Sequence, residues 1–498
     1  MFDREAQTTK RRRWPWVLGI LTLAIGIFVW VIYQWVQQLT PEKVLNTPVV
    51  RSYIERLVGE EHAEFVDMLP ELLGFTEPRT YLVLFQNNTE LRPGGGFIGS
   101  YGVVRATNGK FEILDVQGTE TLDKQAPASW RVQPPEVITR ELGVDRWYFR
   151  DSNWSPDFVT NAKRAREFYV AEGGVARDSI QTVVVVDTTV IERLLALTGP
   201  ITVDGIEFTS STVVEKLEYD VEYGFAERGI ERHERKQILR PFLSALITKV
   251  TDDVVSRPKA YLSLVRQMTD EKHILVYSED VPFQQKLAAF HLDGVAQPTS
   301  TDYLLWVDAN LAALKTDYAI ERSLDYKVNV GEGGVVYATT TMMYKHTGGF
   351  DWRTTRYRTY ARVYTPAGSQ VQDVTITLPK GVRKLTPVEV DSGEELDKTW
   401  FGVFFVLEPG QDGSISFHYS LPEKTKKAVE SGLYSLFVQK QIGTEAHGLT
   451  LDLDFGRTIT AARPAEAQEK WFDTHYQVDT DVRLDRSFSV DLEKNYDY

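Results

Sequence analysis

The sequence predicts one N-terminal transmembrane helix, then an α/β (or α+β) mixed-sheet domain, then an all-β, sandwich-like domain. Three observations carry this reading. The run from Trp14 to Trp35 is uncharged and apolar, as long as the roughly 20 residues a helix needs to cross a bilayer. Strand and helix patterns alternate from Tyr81 onward. From about residue 320 short β-type runs follow one another without helices.

The basic stretch Lys10–Arg13 lies before the span, and Trp14, Trp16, Trp30, Tyr33 and Trp35 sit toward its two ends. Positive charge stays cytoplasmic and amphipathic rings favour the headgroup region, so the rest of the chain is expected outside the membrane. The run is too long for a signal peptide and no small-residue cleavage site follows it, which favours an uncleaved single-pass anchor. The expected segments are a cytoplasmic N-terminus (1–13), the anchor (14–36), juxtamembrane helices (37–76), the α/β domain (77–318), the β domain (319–462) and an acidic C-terminal segment (463–498), read as a tail or a last pair of strands.

Within the α/β region, Tyr81–Phe85 reads as a strand and Asn108-Gly109 as the turn of a hairpin, since that pair tolerates positive φ. Residues 157–169 read as a helix, Gln181–Asp187 as a buried strand, and Thr189–Leu197 as a helix closed by Gly199-Pro200. Val335–Tyr344, Arg358–Tyr364, Val374–Leu378, Trp400–Leu407 and Ser414–Tyr419 supply the β pattern of the last domain.

Composition narrows the chemistry. The 498 residues include no cysteine, which removes disulfides, thiol nucleophiles and iron–sulfur clusters. A net charge of -14 argues against nucleic acid as a partner, because phosphate neutralisation needs a broad basic surface. Gly94, Gly96 and Gly99 have the G-x-G-x-x-G spacing, but a hairpin rather than a helix follows them, so neither a nicotinamide nor a flavin site is expected. Ser100 lacks the G-x-S-x-G frame, and the eight histidines show no metal-ligand spacing.

Two constellations remain. Leu239, Phe242, Leu243, Leu246, Ile247 and Val250 form a buried helical stripe, and the same period run backward lands on Arg235, Arg232 and Arg228. Inward guanidiniums need anions, either a phosphate or carboxylate ligand or carboxylates of the same domain. Pro241 should kink or break this helix. The second constellation is Arg150–Asp157, in which Ser155 or Asp157 can cap the next helix while Asp151 and Asn153 place a carboxylate and an amide in a loop.

The segments Tyr81–Tyr101, Arg150–Phe158, Leu194–Ile201 and Phe437–Gly443 resemble the bacterial domain-of-unknown-function family 4012 over roughly residues 80 to 460. A weaker similarity links the central domain to the LytR-CpsA-Psr family, whose members are single-pass proteins that transfer glycopolymers from polyprenyl pyrophosphate to the cell wall with arginines, aspartates and Mg²⁺. Arg92, the unit Val183–Thr202 and Arg232-His-Glu-Arg-Lys-Gln237 carry that likeness. Val116-Gln-Gly-Thr119 departs from it where that family has Pro-Arg-Asp-Thr. The resemblance implies a phosphate pocket made by Arg92, Asn153, Arg228, Arg232 and Arg235, with Asp151 and Asp157 holding Mg²⁺ or accepting a proton if the protein is an enzyme. The implied ligands are a polyprenyl-phosphate lipid or a cell-surface glycan. A non-catalytic surface, adhesion or envelope-scaffolding role is the alternative, with the arginines paired internally.

Overall fold

The computed structural model describes residues 67–254, 256–298 and 301–493, together with Ser52 and Arg56. The expected anchor and nearly all of the juxtamembrane segment lie outside the described residues. Among the described residues no helix is long and apolar enough to cross a membrane.

The described residues divide into two compact units, one holding residues 67–78 and 107–110, the other the described residues of 79–106 and 111–493. In the first, the short helix α1 (Leu69–Leu72) ends in a turn whose Leu73 and Gly74 carbonyls accept the Gly109 and Asn108 N–H groups at 2.9 Å each. Asn108 and Gly109 have φ of 51° and 75°, the left-handed pair expected of this turn.

The second unit opens with a five-stranded mixed sheet in the order β3-β2-β1-β4-β7. Its strands are β1 (Arg79–Arg92), β2 (Gly95–Thr107), β3 (Lys110–Gly118), β4 (Ile180–Asp187) and β7 (Ile274–Ser278); β5 (Ile201–Val203) and β6 (Ile206–Phe208) form a separate hairpin. β1 runs antiparallel to β2 and parallel to β4, a pairing that requires a long crossover. The crossover holds α2 (Thr119–Gln125), α3 (Glu136–Leu142) and α4 (Phe158–Ala171). α4 buries Phe158, Ala162, Ala165, Phe168 and Tyr169 at helical spacing, against Leu82 and Leu84 of β1, Tyr101 and Val103 of β2 and Val183 and Val185 of β4. A fully buried Phe or Leu of this kind is worth about 2–3 kcal/mol. The alternate residues of the same strands face the other way, toward α5 (Thr188–Thr198), α6 (Val213–Tyr219) and α7 (Leu239–Val254).

Further along lie α8 (Pro258–Asp270), α9 (Val281–Ala289) and then the β domain. Its first seven strands are β8 (Asp302–Asn310), β9 (Ile320–Val330), β10 (Val336–His346), β11 (Tyr357–Pro366), β12 (Gln370–Leu378), β13 (Gly381–Leu385) and β14 (Asp391–Glu395). The other seven are β15 (Lys398–Leu407), β16 (Asp412–Ser420), β17 (Leu433–Val438), β18 (Gly448–Asp454), β19 (Ile459–Arg463), β20 (His475–Asp481) and β21 (Arg486–Leu492). They form two seven-stranded sheets, β13-β12-β16-β10-β9-β18-β20 and β14-β15-β11-β8-β17-β21-β19. One apolar core joins them, with Trp306 against Phe417, Tyr344 against Phe405 and Phe401 against Tyr419 crossing from sheet to sheet. The sandwich strands therefore start at Asp302, ahead of the 319 read from the pattern change, because all nine residues of β8 are buried and show no alternation. β20 and β21 carry the chain's acidic end into the same sheets.

Candidate functional site

The face of the mixed sheet turned away from α4 looks into a cavity of about 1240 Å³, above the roughly 300–1,000 Å³ of ordinary small-molecule pockets. Val83, Phe85, Val104, Val116 and Val186 form its floor. Val190, Ile191 and Leu194 of α5 and Val213, Val214 and Leu217 of α6 wall one side. All six residues of the stripe predicted on α7 line the remaining wall. Helical spacing located this apolar face correctly; Phe242 and Leu246 are buried in a core with Leu195, Phe208 and Val213, while the half-buried Leu239, Leu243, Ile247 and Val250 border the open part of the cavity. α7 starts at Leu239, so Pro241 sits in its first turn, where a missing N–H costs nothing, and no kink follows.

One end of the cavity is charged. Arg232 lines it and makes no hydrogen bond or ion pair among the described residues. Arg235 grips Glu120 with two hydrogen bonds of 3.0 Å and reaches Glu222 at 3.1 Å, while Lys236 meets Glu120 at 3.0 Å and the Gly99 carbonyl at 2.5 Å. Burial raises the Glu120 pKa, but hydrogen bonds from Arg235 and the Lys236 charge outweigh it and bring the carboxyl down to about 2. Burial lowers the Lys236 pKa against the opposing pull of Glu120. Lys315 lies 3.5 Å from Glu222, and Arg150 lines the same end. The cationic rim is thus present and largely matched by carboxylates.

The other residues expected in a phosphate pocket sit elsewhere. Arg92 is buried behind the cavity wall, donating to the Asn310 carbonyl at 2.5 Å and pairing with Glu90 at 3.3 Å and Asp151 at 3.4 Å. Asp151 also meets Arg150 at 3.6 Å. Asn153 donates to the Gly96 carbonyl at 2.7 Å and accepts from the Gly94 N–H at 3.0 Å, fastening the β1–β2 turn. Asp157 is the cap of α4, accepting from Thr160 at 2.7 Å and from Ala296 at 2.9 Å. Arg228 pairs with Asp220 at 2.6 Å. For Arg92 and Asn153 the partners are distant in sequence and so were hidden, whereas Asp157 takes up the cap role that its position before α4 offered. With Asp151 on arginines and Asp157 on a helix end, neither is disposed to hold Mg²⁺; among the described residues no three His, Asp or Glu side chains gather for a metal.

Of the glycines at the G-x-G-x-x-G spacing, Gly94 and Gly96 serve packing. A Cβ on Gly96 would lie 2.2 Å from the Asn87 carbonyl carbon, and one on Gly94 would lie 2.1 Å from Asn161 Nδ2. Sequence reasoning missed Glu120 and gave no site role to Arg150 or Lys236, although both lie in stretches it singled out. Lys236 adjoins an arginine the helical period did reach, whereas Glu120 and Arg150 come from the crossover and are brought in by the fold.

Residues 76–221 match the family model described as "Protein of unknown function (DUF4012)". That DUF4012 stretch supplies β1 to β4, α5 and α6, hence the cavity floor and one side, while α7 lies beyond it. No curated protein matches the chain. Among solved structures it is similar to Bacillus subtilis TagV, with 12% identity, a TM-score of 0.25, and 45% of this chain and 85% of that one covered. It is similar to the transcriptional regulator yvhJ of Bacillus subtilis, with 16% identity, a TM-score of 0.21, and 45% and 84% covered. An M1 zinc metallopeptidase from Deinococcus radiodurans gives 11% identity and a TM-score of 0.17, with 35% and 42% covered, so the chain spans less than half of that protein's length.

Proposed function

We propose that this protein is a single-pass, extracytoplasmic envelope protein that binds the hydrocarbon chain of a polyprenyl-phosphate lipid in its apolar cavity, with the phosphate at the Arg232 end. The observation that carries this reading is the cavity itself. Its walls are aliphatic and aromatic over three helices and a sheet face, and cations collect at one end. A long apolar chain with a small anionic head has that polarity. The predicted anchor would hold the domain next to the membrane that supplies such lipids.

The reading is one of binding. Arg92, Arg228 and Arg235 are each matched by a carboxylate, and the aspartates that chemistry would use are engaged in ion pairs and a helix cap. The same pairing favours the second reading, a non-catalytic envelope or adhesion protein without a lipid ligand. Native mass spectrometry of the full chain in nanodiscs containing a polyprenyl phosphate separates the two. One retained lipid per chain is expected, lost in Leu246→Trp; retention in Arg232→Ala should fall for the phosphate but not for the free polyprenol. Equal retention by parent and Leu246→Trp refutes the cavity as the site.

A further inference from the structure

Beside the apolar cavity lies a second space of different character, a polar cleft of about 880 Å³ between α5, the turn after β10 and the segment leading into β18. Thr188 and Val214 line both spaces, and Glu218 stands in the partition, held by Asn87 at 2.8 Å, Thr89 at 2.6 Å and Arg353 at 2.7 Å.

The cleft wall sorts into satisfied and unsatisfied groups. Arg322 is committed to Asp308 and Asp317, Arg353 to Glu218, and Asp351 to the N–H groups of Arg353 and Thr354. By contrast Glu192, Glu215 and Glu445 make no hydrogen bond or ion pair among the described residues, and neither the Trp352 indole N–H nor the Tyr318 hydroxyl has a hydrogen-bond partner among them. Both ring nitrogens of His447 are buried there without a hydrogen-bond partner. Trp352, half-buried, is braced edge-on by Tyr219 at 5.5 Å and Tyr223 at 6.0 Å, and Tyr318 is 55% exposed with the Arg353 guanidinium over one ring face, 4.0 Å from the centroid.

One exposed and one half-buried ring beside free hydrogen-bonding groups match a sugar, whose C–H faces pack on aromatic faces while its edge carries hydroxyls. Charge then narrows the sugar. Six carboxylates line the cleft against two guanidiniums that are already ion-paired. An acidic polymer is repelled here, and an ammonium group is attracted to the acid groups and the ring faces alike. We infer that this cleft binds an amino-sugar oligosaccharide, its sugar faces on Trp352 and Tyr318 and its ammonium groups at Glu192 and Glu445. Burial and the neighbouring Glu445 charge raise the Glu192 pKa, the mark of a carboxylate short of a cation. Where the lipid reading above also holds, the shared wall lets one amphiphile span both spaces, but the sugar site stands without it.

The test is calorimetric titration of the full chain in nanodiscs with a glucosamine tetrasaccharide, its N-acetylated counterpart and tetralysine. The free-amine sugar should bind at least about tenfold more tightly than either control. Trp352→Ala should abolish that binding. Glu192→Gln with Glu445→Gln should bring the free-amine sugar down to the level of the acetylated one. Should Trp352→Ala fail to fold, Tyr318→Ala on its exposed ring should still weaken binding. Leu246→Trp, which tests the lipid cavity, should leave sugar binding unchanged. No binding, equal binding of the acetylated sugar, or equal binding of tetralysine overturns the inference.

Discussion

At the scale of single residues, Glu120 is the most informative group. Its two oxygens are held by Arg235 and Lys236 as a phosphate would be, so it competes from within for the cations that would receive a head group. Glu120→Gln should therefore raise affinity for a polyprenyl phosphate by about tenfold without changing that for the free alcohol, read by the same retention measurement. A second site is titratable. Glu172 and Asp123 are buried together; burial raises both carboxyls, the Asp123 charge raises Glu172 further and the Asp151 charge adds to Asp123, so the folded state keeps a proton that the unfolded chain releases. With the unfolded state binding fewer protons, stability should fall as pH rises from about 4.5 through neutrality, and Glu172→Gln should flatten that slope in urea melts. Arg235 and Arg232 were legible by extrapolating a helical period into a stretch that is a 3₁₀ turn, Arg232–Glu234, and not helix; Arg228 fell out of register for that reason. Arg92 and Asp151 read as a site because burial of a charge is invisible in sequence and its partner, 59 residues away, equally so.

At the scale of elements, α7 separates folding from binding. Leu243, half-buried, borders the open cavity, so Leu243→Trp should be accommodated with a Tm within a few degrees of the parent, about 1 kcal/mol, while lipid retention is lost. A Trp in a closed core would instead cost about 1–3 kcal/mol. The β1–β2 turn behaves oppositely. Gly96→Ala drives a methyl into the Asn87–Asn88 backbone, within 2.5 Å of three of its atoms, and should lower stability by about 3 kcal/mol or more in urea unfolding. Periodicity and turn chemistry made most elements readable, including α4, β4, α5 and the Asn108-Gly109 turn. Sequence period distinguishes an apolar face from a polar one, but not a packed face from one that lines a cavity. β8 was unread because a strand buried on both faces loses the alternation that betrays strands.

At the scale of the whole molecule, Gln439 to Gly443 tie the sandwich to the mixed sheet. Gln441 accepts from Asp308 N–H at 2.9 Å and donates to the Asp308 carbonyl at 2.8 Å and the Arg92 carbonyl at 3.1 Å, while Ile442 bridges to Gly94. Gln441→Ala strands those buried groups and should cost about 2–4 kcal/mol, with separate unfolding steps appearing for the two sheet systems in calorimetry. Lys440 is buried beside it, its ammonium donating to the Glu271 carbonyl at 2.8 Å and to that of Thr444, and burial with the nearby Lys272 charge lowers its pKa to about 7. The segment entered the sequence reading only as part of a family resemblance, since nothing local says that these side chains bind backbone more than 300 residues away.

That distance sets an order of events in time. Asn88 donates to the Gly443 carbonyl across 355 residues, and Gln441 reaches Arg92 across 349. While the chain is being made, β1 and β2 can pair and their turn can be fastened by Asn153, but the Gly443 and Gln441 contacts to β1 and to Arg92 wait until those residues have left the ribosome. Contacts so far apart are entropically costly to close and slow to form. A chain interrupted before Ile442 leaves the bridge at Gly94 unmade, so a stretch synthesised long after the first sheet supplies the contacts that lock its turn to the sandwich.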